Sequence, residues 1–302
     1  MSFSVAVKDE LCEVMPADRE CMLVELTAML LFSRAFERGN CVMQTENRKI
    51  ADRFIDFLID EFETILTVIT APSLKRNGTH LYTLTVDNPQ DLDRIKEHFF
   101  QNGMPKMVTP EQLKDENALA SFVRGAYVSC GSMNDPHKEY HLEFVVQNHD
   151  LAANLASILS SVNIPIKLTQ RKNNFILYLK ESENIEDLLT LMGATNSTLE
   201  LMNIKVMKDM RNKVNRVTNC ETANIGKTVA ASAKQVEDIK LIIQKKGIEY
   251  LPDNLKEVAQ IRLENPELSL NELVQAMGNQ ISKSGINHRL KRIGEIADKL
   301  RS

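Results

Sequence analysis

Between positions 282 and 292, Ser282, Lys283, Ser284, Asn287, His288, Arg289, Lys291 and Arg292 are interleaved with Ile286, Leu290 and Ile293. At helical spacing this puts the apolar residues on one side and most of the polar ones on the other, with Arg289 near the flank. Amide, hydroxyl, imidazole, ammonium and guanidinium groups gathered at the start of a helix have the chemistry to hydrogen-bond base edges in a major groove, while the cations offset phosphate charge. The same face also fits the solvated side of a plain helical bundle, and His288 suits a core or surface histidine as well as a base contact.

Upstream, Lys205, Lys208, Arg211, Lys213 and Arg216 place five basic residues within twelve positions, and Asn219, Asn224 and Lys227 add donors. Two readings stay open for this cluster: an arm that contacts phosphates, or a solvated inter-domain helix. Charge along the chain points to an anionic partner at this end. Residues 201–302 hold 18 Lys+Arg against 12 Asp+Glu, a balance of +6, while residues 1–200 hold 19 against 29, a balance of -10. One end approaches phosphate and the other is repelled by it.

Other chemistries find little support. The five cysteines, Cys12, Cys21, Cys41, Cys130 and Cys220, include no CxxC pair and have no histidine at metal-ligand spacing, so neither a zinc site nor a disulfide framework is indicated and no cofactor is expected. With no Trp and 5% aromatic residues, the chain has little material for stacking single-stranded bases.

The elements that must position the basic face are signalled locally. Leu251-Pro252-Asp253 opens a helix to about Leu263, ended by Asn265-Pro266. Ser269 with Glu272 reads as a capping box for a helix over 270–277, Gly278-Asn279-Gln280 permits a sharp turn, and Ser282 caps the last helix. In that helix Ile286, Leu290, Ile293, Ile296 and Ala297 form the stripe expected to be buried. Residues 199–246 read as a nearly continuous helix interrupted around Arg216 to Gly226.

The first two hundred residues carry a degenerate repeat. An amphipathic helix opening at Asn47 has a counterpart at Asn148, offset by 101 positions, and each follows a strand-like run. After each helix come two strand candidates joined by a turn: 65–71 and 81–86 around Arg76-Asn77-Gly78, then 164–170 and 175–180 around Arg171-Lys172-Asn173-Asn174. Further helices follow over 89–101 and 184–192. Each unit reads helix, strand pair, helix, strand pair, helix, which predicts an α+β pseudo-dimer with helices on one face of two antiparallel sheets. The expected division is a domain over 1–195, with repeats at about 1–104 and 116–195, a helical linker over 196–226, and an all-α domain over 227–302 whose helix-turn-helix lies at about 269–302. With no stretch near ~18 apolar residues and no signal-peptide pattern at the start, a cytoplasmic, nucleoid-associated location without membrane contact is expected.

Four stretches together resemble the WhiA family of DNA-binding regulators, along essentially the whole chain. They are Leu268-Ser269-Leu270-Asn271-Glu272-Leu273, Ile281 to Leu290, Asn215-Arg216 with Asn219-Cys220-Glu221 and Ala223-Asn224, and Tyr140-His141-Leu142-Glu143. The resemblance implies an N-terminal domain similar to LAGLIDADG homing endonucleases and a C-terminal domain similar to the helix-turn-helix of sigma factors. It also implies a role in transcription regulation tied to sporulation, or to cell division and chromosome segregation.

In the nucleases each signature helix ends in an acidic residue followed by Gly, and two such carboxylates hold the divalent ions that activate water. The matching helices here are 26–34 and 123–131. Small residues Ala28, Gly125 and Ala126 still permit close approach, but the two ligand positions are Ser33 and Cys130, and Arg34 replaces the first Gly. Neither supplies the ionised oxygen that magnesium prefers. The expectation is a non-enzymatic binder of double-stranded DNA, with the N-terminal domain open to a second DNA contact, another regulatory protein or a small ligand. The competing readings are a chromosome-organising or division protein with little sequence preference, and a metal-dependent endonuclease.

Overall fold

The computed structural model describes residues 2–33, 40–73, 78–101 and 104–301, so Arg34, Arg76 and Asn77 lie outside the described residues. The chain separates into two compact units, Met1–Lys208 and Asp209–Ser302.

Unit 1 begins with α1 (Phe3–Leu11) and α2 (Arg19–Phe32), then β1 (Cys41–Thr45), α3 (Arg48–Phe62), β2 (Leu66–Pro72), β3 (His80–Val86) and α4 (Pro89–Phe99). The short pair β4 (Phe100–Gln101) and β5 (Met104–Pro105) and a single 3-10 turn at Pro110–Leu113 lead to the second repeat. That repeat comprises α5 (Glu116–Cys130), β6 (Gly131–Met133), β7 (Leu142–Val146), α6 (His149–Ser161), β8 (Lys167–Arg171), β9 (Asn174–Leu179) and α7 (Ser182–Met192). The sheets are antiparallel, with orders β1-β3-β2 and β6-β7-β9-β8. This is the α+β, pseudo-two-fold arrangement expected from the repeat, preceded by a helix, α1, that the sequence reading did not place.

The repeats share their local devices. Asn47 accepts hydrogen bonds from the amides of Lys49 and Ile50, and Asn148 from those of Asp150 and Leu151, satisfying donors that a first helical turn leaves orphaned. Both helices are left through a left-handed residue, Glu63 at φ 51° and Asn163 at φ 60°. In the second hairpin Arg171 pairs with Asn174, so Lys172 and Asn173 make a two-residue turn and the positive φ falls on Lys172 rather than on an asparagine.

Helices α2 and α5 meet at the centre of unit 1. A Cβ at Gly125 would stand 2.4 Å from the carbonyl oxygen of Glu25 and 2.9 Å from Cβ of Ala28, so only glycine permits this approach. Leu142, Phe144, Leu177 and Leu179 are buried on the inner face of the second sheet. Fully burying a side chain of this size contributes about 1.5–3 kcal/mol.

Helix α8 (Thr195–Lys246) crosses the division between the units, and unit 2 continues with α9 (Asp253–Glu264), α10 (Leu270–Ala276) and α11 (Lys283–Arg301). Its core is built from Ile239, Ile242, Leu255, Val258, Leu273, Ile286, Leu290 and Ile293. The expected interruption around Arg216 to Gly226 is absent, because α8 runs through it without a break. Gly226 lowers helix propensity but keeps its N–H, and the stretch contains no proline to remove a hydrogen bond.

Candidate nucleic-acid interface

The turn between α10 and α11 is tightly specified. Ser269 accepts from the amide of Glu272, whose carboxylate in turn accepts from the Ser269 amide at 2.7 Å, closing the capping box. Gly278 and Asn279 follow with φ of 65° and 60°, conformations that glycine and asparagine adopt at least cost. The chain then enters α11, where the Ser282 hydroxyl accepts from the Gly285 amide at 3.2 Å.

Along α11, Ile286, Leu290, Ile293 and Ala297 are buried, while Ile296 is half-buried. Ser282, Lys283, Ser284, Asn287, His288, Lys291 and Arg292 are exposed. The side chains of Lys283, Asn287, His288, Lys291 and Arg292 make no hydrogen bond or ion pair among the described residues, so their donors face solvent. Arg289 differs: it is half-buried and donates to the carbonyl of Asn254 at 3.0 Å, tying α11 to the start of α9.

Two positioning groups escaped the sequence reading. Arg262 is 2% exposed and donates to the carbonyl of Leu268 at 2.6 Å, pinning α9 to the segment that enters α10. A signal was present, since Leu255, Val258, Ala259 and Arg262 follow helical spacing and share the buried side. Asp238 of α8, also buried, binds Arg301 at 2.6 Å and so anchors the far end of α11.

The upstream basic cluster divides. Lys205 pairs with Glu183 at 2.7 Å and Glu186 at 3.3 Å, and its hydrogen bond holds the Glu183 carboxyl down at about 2. Lys208 donates to the Pro136 carbonyl at 2.6 Å and lies 4.4 Å from the ring centre of Tyr140. Both are thus committed within unit 1, which the sequence could not show because their partners are distant in the chain. Arg211, Lys213 and Arg216 are exposed and unpaired among the described residues.

Residues 214–297 match the WhiA C-terminal HTH domain and residues 119–211 the WhiA LAGLIDADG-like domain. A probable cell division protein WhiA of Clostridium novyi (strain NT) is 41% identical over 100% of this chain and 99% of that protein. The chain belongs to the WhiA family. Its counterpart in Clostridium beijerinckii, also called a probable cell division protein WhiA, is 40% identical with the same coverage. The crystal structure of full-length DUF199/WhiA from Thermatoga maritima is 25% identical and superposes with a TM-score of 0.60, covering 99% of each chain. That of an N-terminal LAGLIDADG domain of DUF199/WhiA, 20% identical, shares the fold at a TM-score of 0.51 over 64% of this chain and 90% of that one.

Ser33 and Cys130, the positions that the resemblance matches to the nucleases' metal ligands, have other surroundings in this WhiA-family chain. The Ser33 hydroxyl, at the end of α2, donates to the Leu30 carbonyl at 3.2 Å with the Val42 carbonyl at 3.4 Å. At the end of α5, burial pushes the Cys130 thiol up to about 12 despite the charge of Lys8. Lys8 itself donates to the Val128 carbonyl at 3.0 Å, and burial lowers its ammonium to about 8 against the influence of Cys130 and Cys12.

The outer faces of the two sheets differ in charge. Alternation along the strands puts Lys167, Thr169 and Arg171 of β8 on the same side as Tyr178 of β9, with Lys180 5.5 Å from the Tyr178 ring centre. The corresponding side of the first sheet carries Gln44, Thr67 and Thr83, with the Asp87 carboxylate accepting from the hydroxyls of Thr67 and the buried Thr85.

Proposed function

We propose that this chain is a sequence-specific regulator of transcription that reads duplex DNA through α10 and α11, with a role in sporulation or in cell division and chromosome segregation, of which cell division is the role its relatives are named for. The observation that carries this reading is the face of α11: Lys283, Ser284, Asn287, His288, Lys291 and Arg292 stand exposed on a helix whose opposite side is fully buried. Lys or Arg suits guanine O6 and N7, Asn suits adenine N6 and N7, and the remaining cations meet phosphate. Ser282 and Arg289 complete the set, Arg289 from the flank. Arg211, Lys213 and Arg216 supply phosphate contacts, and the Lys167, Arg171 and Lys180 face offers unit 1 a localised second contact despite its negative balance.

The same reading makes the protein a binder without nuclease activity, located at the nucleoid. Among the described residues no helix is long and apolar enough to cross a membrane. Selection of bound fragments from genomic DNA, followed by titration of selected and scrambled duplexes at one salt concentration, tests it. A retained specificity ratio is expected. Equal affinity for all duplexes would instead support a chromosome-organising protein with little sequence preference.

A further inference from the structure

Every residue of α8 from Asp209 to Ala231 is exposed, so these 23 successive helical residues bury no face against the described residues. Their composition does not favour a free-standing helix. Between Arg211 and Gly226 the chain has four asparagines (Asn212, Asn215, Asn219 and Asn224), two threonines, the β-branched Val214, Val217 and Ile225, and the glycine itself. Such residues rank low in helix propensity, and helices in proteins draw most of their stability from a packed face. A stretch like this needs a ligand to hold it.

The side chains indicate which ligand. At 3.6 residues per turn, Asn212, Arg216, Asn219, Ala223, Lys227 and Lys234 line one face of α8. Glu221 is the single acid between 210 and 234, and it falls on the opposite side. Arg216, Lys227 and Lys234 are exposed and make no ion pair among the described residues. An acid-free row of amides and cations with a small residue at its middle is complementary to a base-lined, phosphate-edged groove: the asparagines reach base edges, Ala223 permits close approach, and Arg216 and the lysines meet phosphates. An exposed stripe including Met210, Val214 and Val217 lies towards the other side and fits a protein partner. It carries Glu221 and offers fewer specific groups.

We propose that the middle of α8, through its Asn212, Arg216, Asn219 and Lys227 face, is a second DNA-contacting helix that becomes firmly ordered when duplex DNA binds. This rests on the DNA-binding reading of α11 and extends it to a separate element of the same unit.

Amide hydrogen exchange on the full chain, with and without a duplex selected for binding, tests the proposal. The amides of 211–226 are expected to exchange fast in the free protein and at least tenfold more slowly on DNA. In the Arg216→Ala/Asn219→Ala variant that slowing is lost and affinity falls at least tenfold, while DNA still protects the amides of α11. Asn219→Asp, which puts an acid on the face, acts in the same direction, whereas Glu221→Gln leaves both readouts as they are. If DNA protects α11 but not 211–226, the proposal falls and the DNA-binding reading stands. If DNA protects neither, the DNA-binding reading falls first. Protection of 211–226 that grows with protein concentration in the absence of DNA assigns the helix to a second copy and overturns the proposal.

Discussion

Glu25 of α2 accepts a hydrogen bond from Arg124 of α5 at 2.8 Å in the interior of unit 1, where both side chains are buried. Arg53 of α3 closes the group, reaching the same carboxylate at 2.6 Å and 2.9 Å. Four further guanidinium donors go to the carbonyls of Cys12, Val14 and Met192 and to the Ser121 hydroxyl, so one carboxylate joins three helices to the segments around them. Removing it leaves two buried cations without their anion, a loss of about 3–5 kcal/mol. Glu25→Ala is therefore expected to shift the urea midpoint of unit 1 strongly. An unchanged midpoint would mean that water replaces the carboxylate at no cost.

Lys8 gives stability a pH dependence. An unfolded lysine holds its proton to about 10.5, and burial lowers Lys8 in the fold to about 8. Between these values the unfolded chain binds a proton that the folded chain does not, so this group's contribution to stability rises with pH across the window. Below about pH 8 the fold must keep a charged ammonium buried. Lys8→Met is expected to be the more stable protein near neutral pH, with its advantage shrinking from about pH 8 to 10.5. Urea midpoints of both proteins across that range check this, and the cysteines present in both largely cancel in the difference. A constant gap would assign the effect to packing.

What was legible in the sequence were features whose cause is local. Asn47, Asn148 and Ser269 announce helix starts because a cap acts within three residues, and the paired hairpins follow from alternation and turn residues. The exposed side of α11 follows from helical spacing alone. What was not legible depends on distant partners. Glu25 meets residues 28 and 99 positions away, and Lys205 is neutralised by carboxylates 19 and 22 positions earlier. The expected break in α8 failed for another reason: low propensity weakens a helix without removing a backbone hydrogen bond, and the stretch contains no proline.

Affinity and specificity are expected to separate by element. Asn287→Ala should cost about 1–3 kcal/mol at a selected site and relax base preference there. Arg211→Ala or Lys213→Ala should weaken all duplexes about equally and reduce the slope of log affinity against log salt by about one. Lys205→Ala and Lys208→Ala should change DNA affinity little, because their charge is held within unit 1. Arg289→Ala should lower the melting temperature of unit 2 as well as binding, through its bond to Asn254. Binding titrations over a salt series, with a melting curve for each variant, separate these outcomes. An unchanged base preference in Asn287→Ala would show that the reading face is assigned wrongly.

The protein is expected not to cut DNA when magnesium or manganese is supplied. A small divalent cation gives up its water reluctantly and demands ionised oxygen ligands. At the two positions that the resemblance matches to such ligands, Ser33 offers a neutral hydroxyl already donated to a carbonyl, and Cys130 offers a thiol that burial keeps protonated up to about 12. Lys8 adds a nearby ammonium that opposes a further cation. Glu25 does not substitute, because it lies about two helical turns before Ser33 and is held by Arg53 and Arg124. Supercoiled plasmid carrying a selected site should therefore stay supercoiled with either metal, at concentrations that saturate binding. Nicked or linear product that chelator suppresses would overturn the non-nuclease reading. If Ser33→Ala/Cys130→Ala cut equally well, the chemistry would lie away from these two helix ends.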